Sequence, residues 1–277
     1  MTSTPASLNF EKPIPEGRYS LLDLMRSEWL KLSSVRSTFW TLGLTVIIGL
    51  GVSAIASSVT RSHWSSQNAS SRASFDPTSL SLSGVFVAQL IIGVLGVMVM
   101  SGEYGTGTIR ATLSAAPRRP FVLLAKVAVF GVVALIVALA TSFLAFFIGQ
   151  SLLTAPAVHA TLSTPGALRE VVGTGLFIGL VGIFSLALAT IIRHTAGAIS
   201  TFVAILLVVP NVLRAFPTSV FNDTIRYFPS RIGAAFLSNS QGPPRNAFSP
   251  WNGLLVMAAY TVALLVIGGL VMVRCDA

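Results

Sequence analysis

Charged residues divide this chain into long stretches that hold none at all. No Asp, Glu, Lys or Arg occurs in 37–60, 77–102, 127–168, 171–192, 194–213 or 246–273. Each stretch can supply the roughly 20 apolar residues that cross a hydrocarbon layer about 30 Å thick. The window 127–168 has room for two short spans. Its second half, from Ser151 to Pro165, carries Pro156, His159, Pro165 and several Ser and Thr, so it reads as a loop. The pattern therefore predicts six transmembrane helices, near 39–59, 82–101, 122–149, 171–192, 197–215 and 251–273. Helices are expected because a backbone in lipid must satisfy its own hydrogen bonds. The runs also lack the short, alternating pattern of barrel strands. No internal repeat and no break into soluble domains is visible, so residues 20–277 read as one all-α integral membrane domain.

The polar segments between the runs differ in character. Residues 1–19 hold Pro5, Pro13, Pro15 and Gly17 and are expected to form a disordered tail. From Leu21, the residues Leu24, Met25, Trp29 and Leu32 recur at helical spacing, with Asp23, Arg26, Glu28 and Lys31 between them. That pattern predicts an amphipathic interfacial helix, with Trp29 at headgroup depth and the Lys/Arg side toward anionic lipid. A plain helical extension of the first span is the alternative. The outer loop 60–81 is Ser-rich and expected to be flexible. The loop 216–250 mixes five prolines with Ile225, Tyr227, Phe228, Ile232, Phe236 and Leu237, which predicts re-entrant helices before the last span.

The segment 102–121 joins the second and third spans. It is too polar to be buried in lipid and too long for a tight turn. Thr106 or Thr108 is placed to cap a short helix running to Ala116, which Pro117 would end. A short helix with Arg118 and Arg119 at its end is a natural docking surface for another protein; an ordinary basic loop is the alternative reading.

Composition sharpens this picture by exclusion. The 277 residues are 53% hydrophobic and only 10% charged. Soluble domains carry about 25% charged residues, so a soluble enzyme is excluded. The net charge of +9 would point to nucleic acid in a soluble protein, but here the charges sit between apolar runs. With an inside N-terminus, eleven of the 18 Lys/Arg fall in cytoplasmic segments. Arg26, Lys31 and Arg36 precede the first span, and the first span usually dominates orientation. Both termini are expected in the cytoplasm of a cell (inner) membrane protein. Ala54-Ile55-Ala56 resembles a signal cleavage site, but the apolar run before it is too long for a signal peptide.

Little chemistry is encoded in the chain itself. A phosphate-binding loop needs Gly before its Lys, and the three lysines follow Glu11, Leu30 and Ala125. Any ATP and Mg must therefore be bound by another chain. His63, His159 and His194 stand apart from one another and from acids, so no metal site is expected. Cys275 is the lone cysteine. No acid lies mid-span, which argues against an ion-coupled carrier. Gly175, Gly179, Gly182, Ser185 and Ala189 make one smooth face on the fourth span, for helix packing in the bundle or for a subunit contact. Pro210 is expected to kink the fifth span, and Asn211 follows it.

Two stretches resemble a known family. Ser27-Glu28-Trp29-Leu30-Lys31-Leu32, with Ser34 through Trp40, is similar to the N-terminal region of ABC-2 type transporter permeases, particularly actinobacterial ones. Glu103-Tyr104, then Gly107-Thr108-Ile109-Arg110-Ala111-Thr112-Leu113, Pro117-Arg118-Arg119 and Lys126, resembles that family's loop after the second span. The resemblance implies the permease subunit of an ABC exporter, with six spans, an interfacial helix and a cytoplasmic coupling helix. It also implies a separate ABC ATP-binding subunit docked on the coupling segment, through Glu103, Tyr104, Gly107, Thr108, Arg110, Pro117, Arg118 and Arg119. A second permease, in a homodimer or heterodimer, would complete the assembly. The cargo is expected to be hydrophobic or amphipathic. A non-transporting membrane partner or sensor subunit is the alternative; a lipid-modifying enzyme lacks its acid and histidine cluster.

Overall fold

The computed structural model describes residues 20–115, 119–155, 157–216, 224–237 and 248–274, with no account of the side chains of 110, 113–115 and 214. Every regular element among them is helical. Helix α1 (Leu21–Ser34) leads through Val35 into α2 (Arg36–Ser62). A 3-10 turn (Trp64–Ser66) and two short helices, α3 (Ala69–Ala73) and α4 (Pro77–Ser81), precede α5 (Ser83–Thr106). Then come α6 (Thr108–Ala115), α7 (Arg119–Leu152), α8 (Ala167–Ile192) and α9 (Thr195–Val203). The last continues through a π-helical stretch (Ala204–Val208) into α10 (Val209–Val212). A short α11 (Pro229–Ala234) and the long α12 (Pro250–Arg274) close the described chain.

Six helical stretches are long and apolar enough to cross a membrane. They are Arg36–Ser62, Pro77–Thr106, Arg119–Leu152, Ala167–Ile192, Thr195–Val212 and Pro250–Arg274. Each lies on one of the six apolar windows, and most outrun the sequence bounds at both ends. The reason is local: a helix continues past the last apolar residue wherever capping and propensity allow, so charge marks the edge of the apolar run and not the end of the helix. The tail 1–19 lies outside the described residues.

Helix α8 is the centre of the bundle. Its apolar window is 72% buried, against 22% for α2, 22% for Thr195–Val212 and 17% for α12. It packs on α5, α7 and α12. Small residues permit this: Gly175 and Gly179 have Leu139 and Leu135 of α7 where a Cβ would sit, whereas Gly182 has its nearest neighbours at 3.5 Å. Ser142 of α7 donates to the Val171 carbonyl at 2.7 Å, adding a polar tie to the same contact. Helices α2 and α5 cross where the Gly84 amide donates to Ser53 Oγ at 3.2 Å. There the Gly49 carbonyl fills the space a Gly84 Cβ would need.

The fifth span does change geometry at Pro210. The ring has no N–H to give and crowds the carbonyl four residues back. The chain accommodates it by widening into a π-helical stretch over Ala204–Val208, and Asn211 Nδ2 donates to the Leu207 carbonyl at 2.7 Å. Within the loop before the last span, α11 packs on α12 and α8, and Phe236 lies edge-on to Trp251 at 5.8 Å. The expected re-entrant helices also involve 217–223 and 238–247, which lie outside the described residues.

Candidate functional site

The first helix begins with a reciprocal cap. Ser20 Oγ accepts from the Asp23 amide at 3.3 Å, and the Asp23 carboxylate accepts from the Ser20 amide at 2.9 Å. These hydrogen bonds hold the exposed Asp23 carboxyl below its ordinary value. The cap fixes the register of α1, and the register decides which side chains turn inward. Leu24 and Leu32 pack on the core and Glu28 is buried, while Leu22, Trp29 and Leu30 are exposed. Lys31 turns inward as well. For Lys31 this corrects the expectation that the Lys/Arg side of α1 faces lipid, since it meets carboxylates, while Arg26 stays on the exposed face with Leu22, Trp29 and Leu30.

Four charges from three helices close into a ring. Lys126 Nζ of α7 lies 2.5 Å from Glu28 Oε2 of α1 and 2.9 Å from Glu103 Oε1 of α5. Lys31 Nζ of α1 lies 2.7 Å from Glu28 Oε1 and 2.9 Å from the same Glu103 oxygen. Each acid thus touches both bases, and the cluster is neutral as a whole. The side chain of Lys126 is 3% exposed and that of Lys31 is 38% exposed. The two lysines therefore differ in consequence. A buried ion left without a partner costs several kcal/mol, whereas a half-exposed one is largely screened by water. Burial works against the charge of Lys31, but its hydrogen bonds to Glu28 and Glu103 outweigh it and hold the ammonium above the usual lysine value.

The ring sits where α5 hands over to α6. Gly107, at φ +72°, ends α5 in the left-handed conformation that glycine tolerates, and the chain turns into α6 at Thr108. Thr106 and Thr108 share a hydrogen bond at 2.9 Å. Lys31 Nζ donates to Thr112 Oγ1 at 3.3 Å, so the ring also grips α6. Ile109 anchors α6 from beneath, 2% exposed.

A second set of contacts ties the same region to the last span. The Arg193 guanidinium lies 5.5 Å from the centre of the Tyr104 ring and donates to the Val271 carbonyl at 2.8 Å. Arg119 donates to the next carbonyl, Met272, at 2.8 Å. Cationic donors at the last carbonyls of a helix satisfy groups that the helix itself leaves open. Of the remaining sequence candidates, Pro117 and Arg118 lie outside the described residues, as does the side chain of Arg110. Among the described residues no group of three potential metal ligands converges. His194 Nδ1 accepts the Gly197 amide at 3.3 Å as a cap of α9, and His63 Nδ1 lies 3.0 Å from the Val59 carbonyl.

Sequence reasoning named Glu28, Lys31 and Glu103 separately and did not join them through Lys126. The signal was present. Lys126 lies two turns inside α7, with nothing else charged after it in that helix, and a lone charge within an apolar helix needs a buried partner. Arg193 and its bond to the last span left no sequence signal beyond a basic residue between two apolar runs.

The family model described as ABC-2 family transporter protein matches residues 24–211. That range contains all four charges of the ring, the whole of α6 and the first five spans except their extreme end. No curated protein matches the chain.

Proposed function

The chain belongs to the ABC-2 family of transporters and is a membrane component of an ABC transporter; from that premise we propose that it is the permease subunit of an ATP-driven exporter. ATP and Mg are bound by a separate ABC ATP-binding subunit, and a second permease completes the pathway. The subunit spans the cell membrane with both termini in the cytoplasm, so α1, α6 and the charge ring face the ATPase side. The cargo is hydrophobic or amphipathic, in keeping with spans that hold no charge at their midpoints.

The observation that carries this reading is the charge ring at the junction of α1, α5, α6 and α7. A docked ATPase pushes on α6 and the residues 103–119 around it. The ring ties the start of α7, the end of α5 and the N-terminal helix together, because pulling Lys126 out of it strands buried charge, and Lys31 links α6 to it through Thr112. ATP binding closes the ATPase dimer, and the motion enters the bundle through the ring. The contact between two permeases then shifts its opening from the inner to the outer side.

The test is co-purification from mild detergent with the neighbouring gene products. An ATP-binding protein recovered in equal amount, and lost when 108–118 is replaced by a neutral linker that leaves Glu103 and Arg119 in place, supports the reading. Reversing Arg118 to Glu should leave insertion intact and uncouple ATP hydrolysis from export, with Arg119 kept because it holds the Met272 carbonyl of the last span. A monodisperse chain that recovers no ATPase would count against the proposal and favour a sensor or assembly role.

A further inference from the structure

A cavity of about 490 Å³ opens beside the charge ring, between the α1–α2 elbow and helices α5 and α7. Its volume falls in the range of small-molecule sites. Leu95, Val99, Val129 and Phe130 give it apolar walls, and its polar edge is made of the ring and of hydroxyl side chains. The hydrogen bonds show which kind of group that edge lacks. The three protons of Lys31 have three partners, Glu28, Glu103 and Thr112. Lys126 donates to the same two acids. Glu28 receives a lysine on each oxygen. Glu103 does not: both ammonium groups meet its Oε1, and its buried Oε2 accepts no hydrogen bond. Nearby hydroxyls have their protons committed as well. Ser34 donates to the Lys31 carbonyl at 3.0 Å, Thr41 to the Ser37 carbonyl at 2.8 Å and Thr106 to the Gly102 carbonyl at 2.9 Å. Each keeps lone pairs and has no second proton to give. Ser37, Thr38 and Thr108 complete the edge, and their hydroxyls can turn either way. The group most in want of a partner is thus an acceptor, and buried acceptors ordinarily have one. Charge adds a second restriction. Two lysines and two glutamates balance in the ring, so an ionic ligand beside it would bury a charge with no counter-charge.

We propose that this cavity binds an uncharged amphiphile whose head donates hydrogen bonds, an alcohol or diol of the monoacylglycerol kind, with a hydroxyl on Glu103 Oε2 and one hydrocarbon chain along Leu95, Val99, Val129 and Phe130. A hydrogen bond to an ionised acceptor is stronger than one between neutral groups, so the carboxylate selects the head while the apolar walls hold the chain. In the orientation proposed above, the cavity lies at the inner end of the first span and takes its ligand from the inner leaflet. Such a head narrows the amphipathic cargo of the proposed exporter to one chemical class. The direction of transport rests on that reading, whereas binding to this chain needs no ATPase.

The experiment uses the full chain in nanodiscs of phosphatidylcholine, a lipid whose head has no proton to donate. Radiolabelled monododecanoylglycerol, counted above empty discs, is displaced by unlabelled monododecanoylglycerol, by its di-O-methyl ether or by dodecylamine. The alcohol should compete at least about tenfold better than the ether, which keeps the oxygens but has lost the protons, the effect of one hydrogen bond to a charged group. It should also compete better than the cationic amine. Glu103→Gln keeps its carbonyl on the lysines, because an amide nitrogen cannot accept from them, and so puts an N–H donor at the bare position. The preference for alcohol over ether should then fall to about twofold or less, a change of ratio that a loosened fold would not produce. Val99→Phe, which fills the cavity, should weaken the alcohol about tenfold. Equal competition by alcohol and ether in the parent chain would overturn the proposal without any variant. Tighter binding of the amine would overturn it in favour of a cation. An unchanged preference in Glu103→Gln, or unchanged binding in Val99→Phe, would place the ligand elsewhere. Any of these results alongside a recovered ATPase would sink this site and leave the exporter reading standing.

Discussion

Lys126 and Lys31 make the same two contacts, yet their replacement should differ sharply. Lys126→Met leaves Glu28 and Glu103 buried with only the half-exposed Lys31 for neutralisation. Its cost should approach the roughly 3–5 kcal/mol of a broken buried pair. Lys31→Met keeps Lys126 between both acids and should cost about 1 kcal/mol or less. Thermal unfolding in detergent would measure both, and equal costs would contradict the ring. Glu28→Gln combined with Lys126→Met should cost less than the sum of the single changes, by about 0.5–3 kcal/mol. The acid–base direction follows from Lys31. Its folded-state pKa is raised, so its contribution is complete below the ordinary lysine value and is lost as pH rises through the folded-state value. Stability from this side chain should hold from neutral pH to about 10 and decline only above it. A decline centred near pH 7 would have to come from another group.

At the scale of helices, the bundle is governed by close approach. Gly84 has the backbone of α2 where a side chain would go, while Gly43 on the same pair of helices has nothing within 4 Å. Gly84→Leu should therefore separate α2 from α5 and cost about 1–3 kcal/mol or more. Gly43→Ala should be neutral or stabilising by up to about 1 kcal/mol, from helix propensity alone. Comparing the two melting temperatures checks that crossing. Helix α6 was legible in part: a short helix was expected behind a Thr106 or Thr108 cap, whereas Thr106 ends α5, Gly107 makes the turn and α6 begins at Thr108. Its attachment was not, because Thr112 contacts a lysine 81 positions away. The inward turn of Lys31 was equally hidden, since alternation on one helix shows that two faces differ but not which face a neighbour will cover.

For the whole molecule, the six spans and the described contacts place α1, α6, the start of α7 and the end of α12 at one end of the bundle. Single cysteines introduced at Arg26 and Ser66, with Cys275 removed, should label from opposite sides of the membrane. Arg26 should react only from the cytoplasm, and labelling of Arg26 from outside would reverse the proposed orientation. What the sequence determined by itself was the number of crossings and their order, because hydrocarbon excludes charge and each crossing needs a minimum length. It also carried the family signature, which lies in short local runs. Only the tertiary structure decided that α8 is central, that four scattered charges form one ring, and that Arg119 and Arg193 hold the end of the last span. The physical reason is common to all three. Lipid imposes its constraint residue by residue along each helix, whereas pairing of buried charges and close packing depend on which helices become neighbours, and that is fixed only once the bundle has closed.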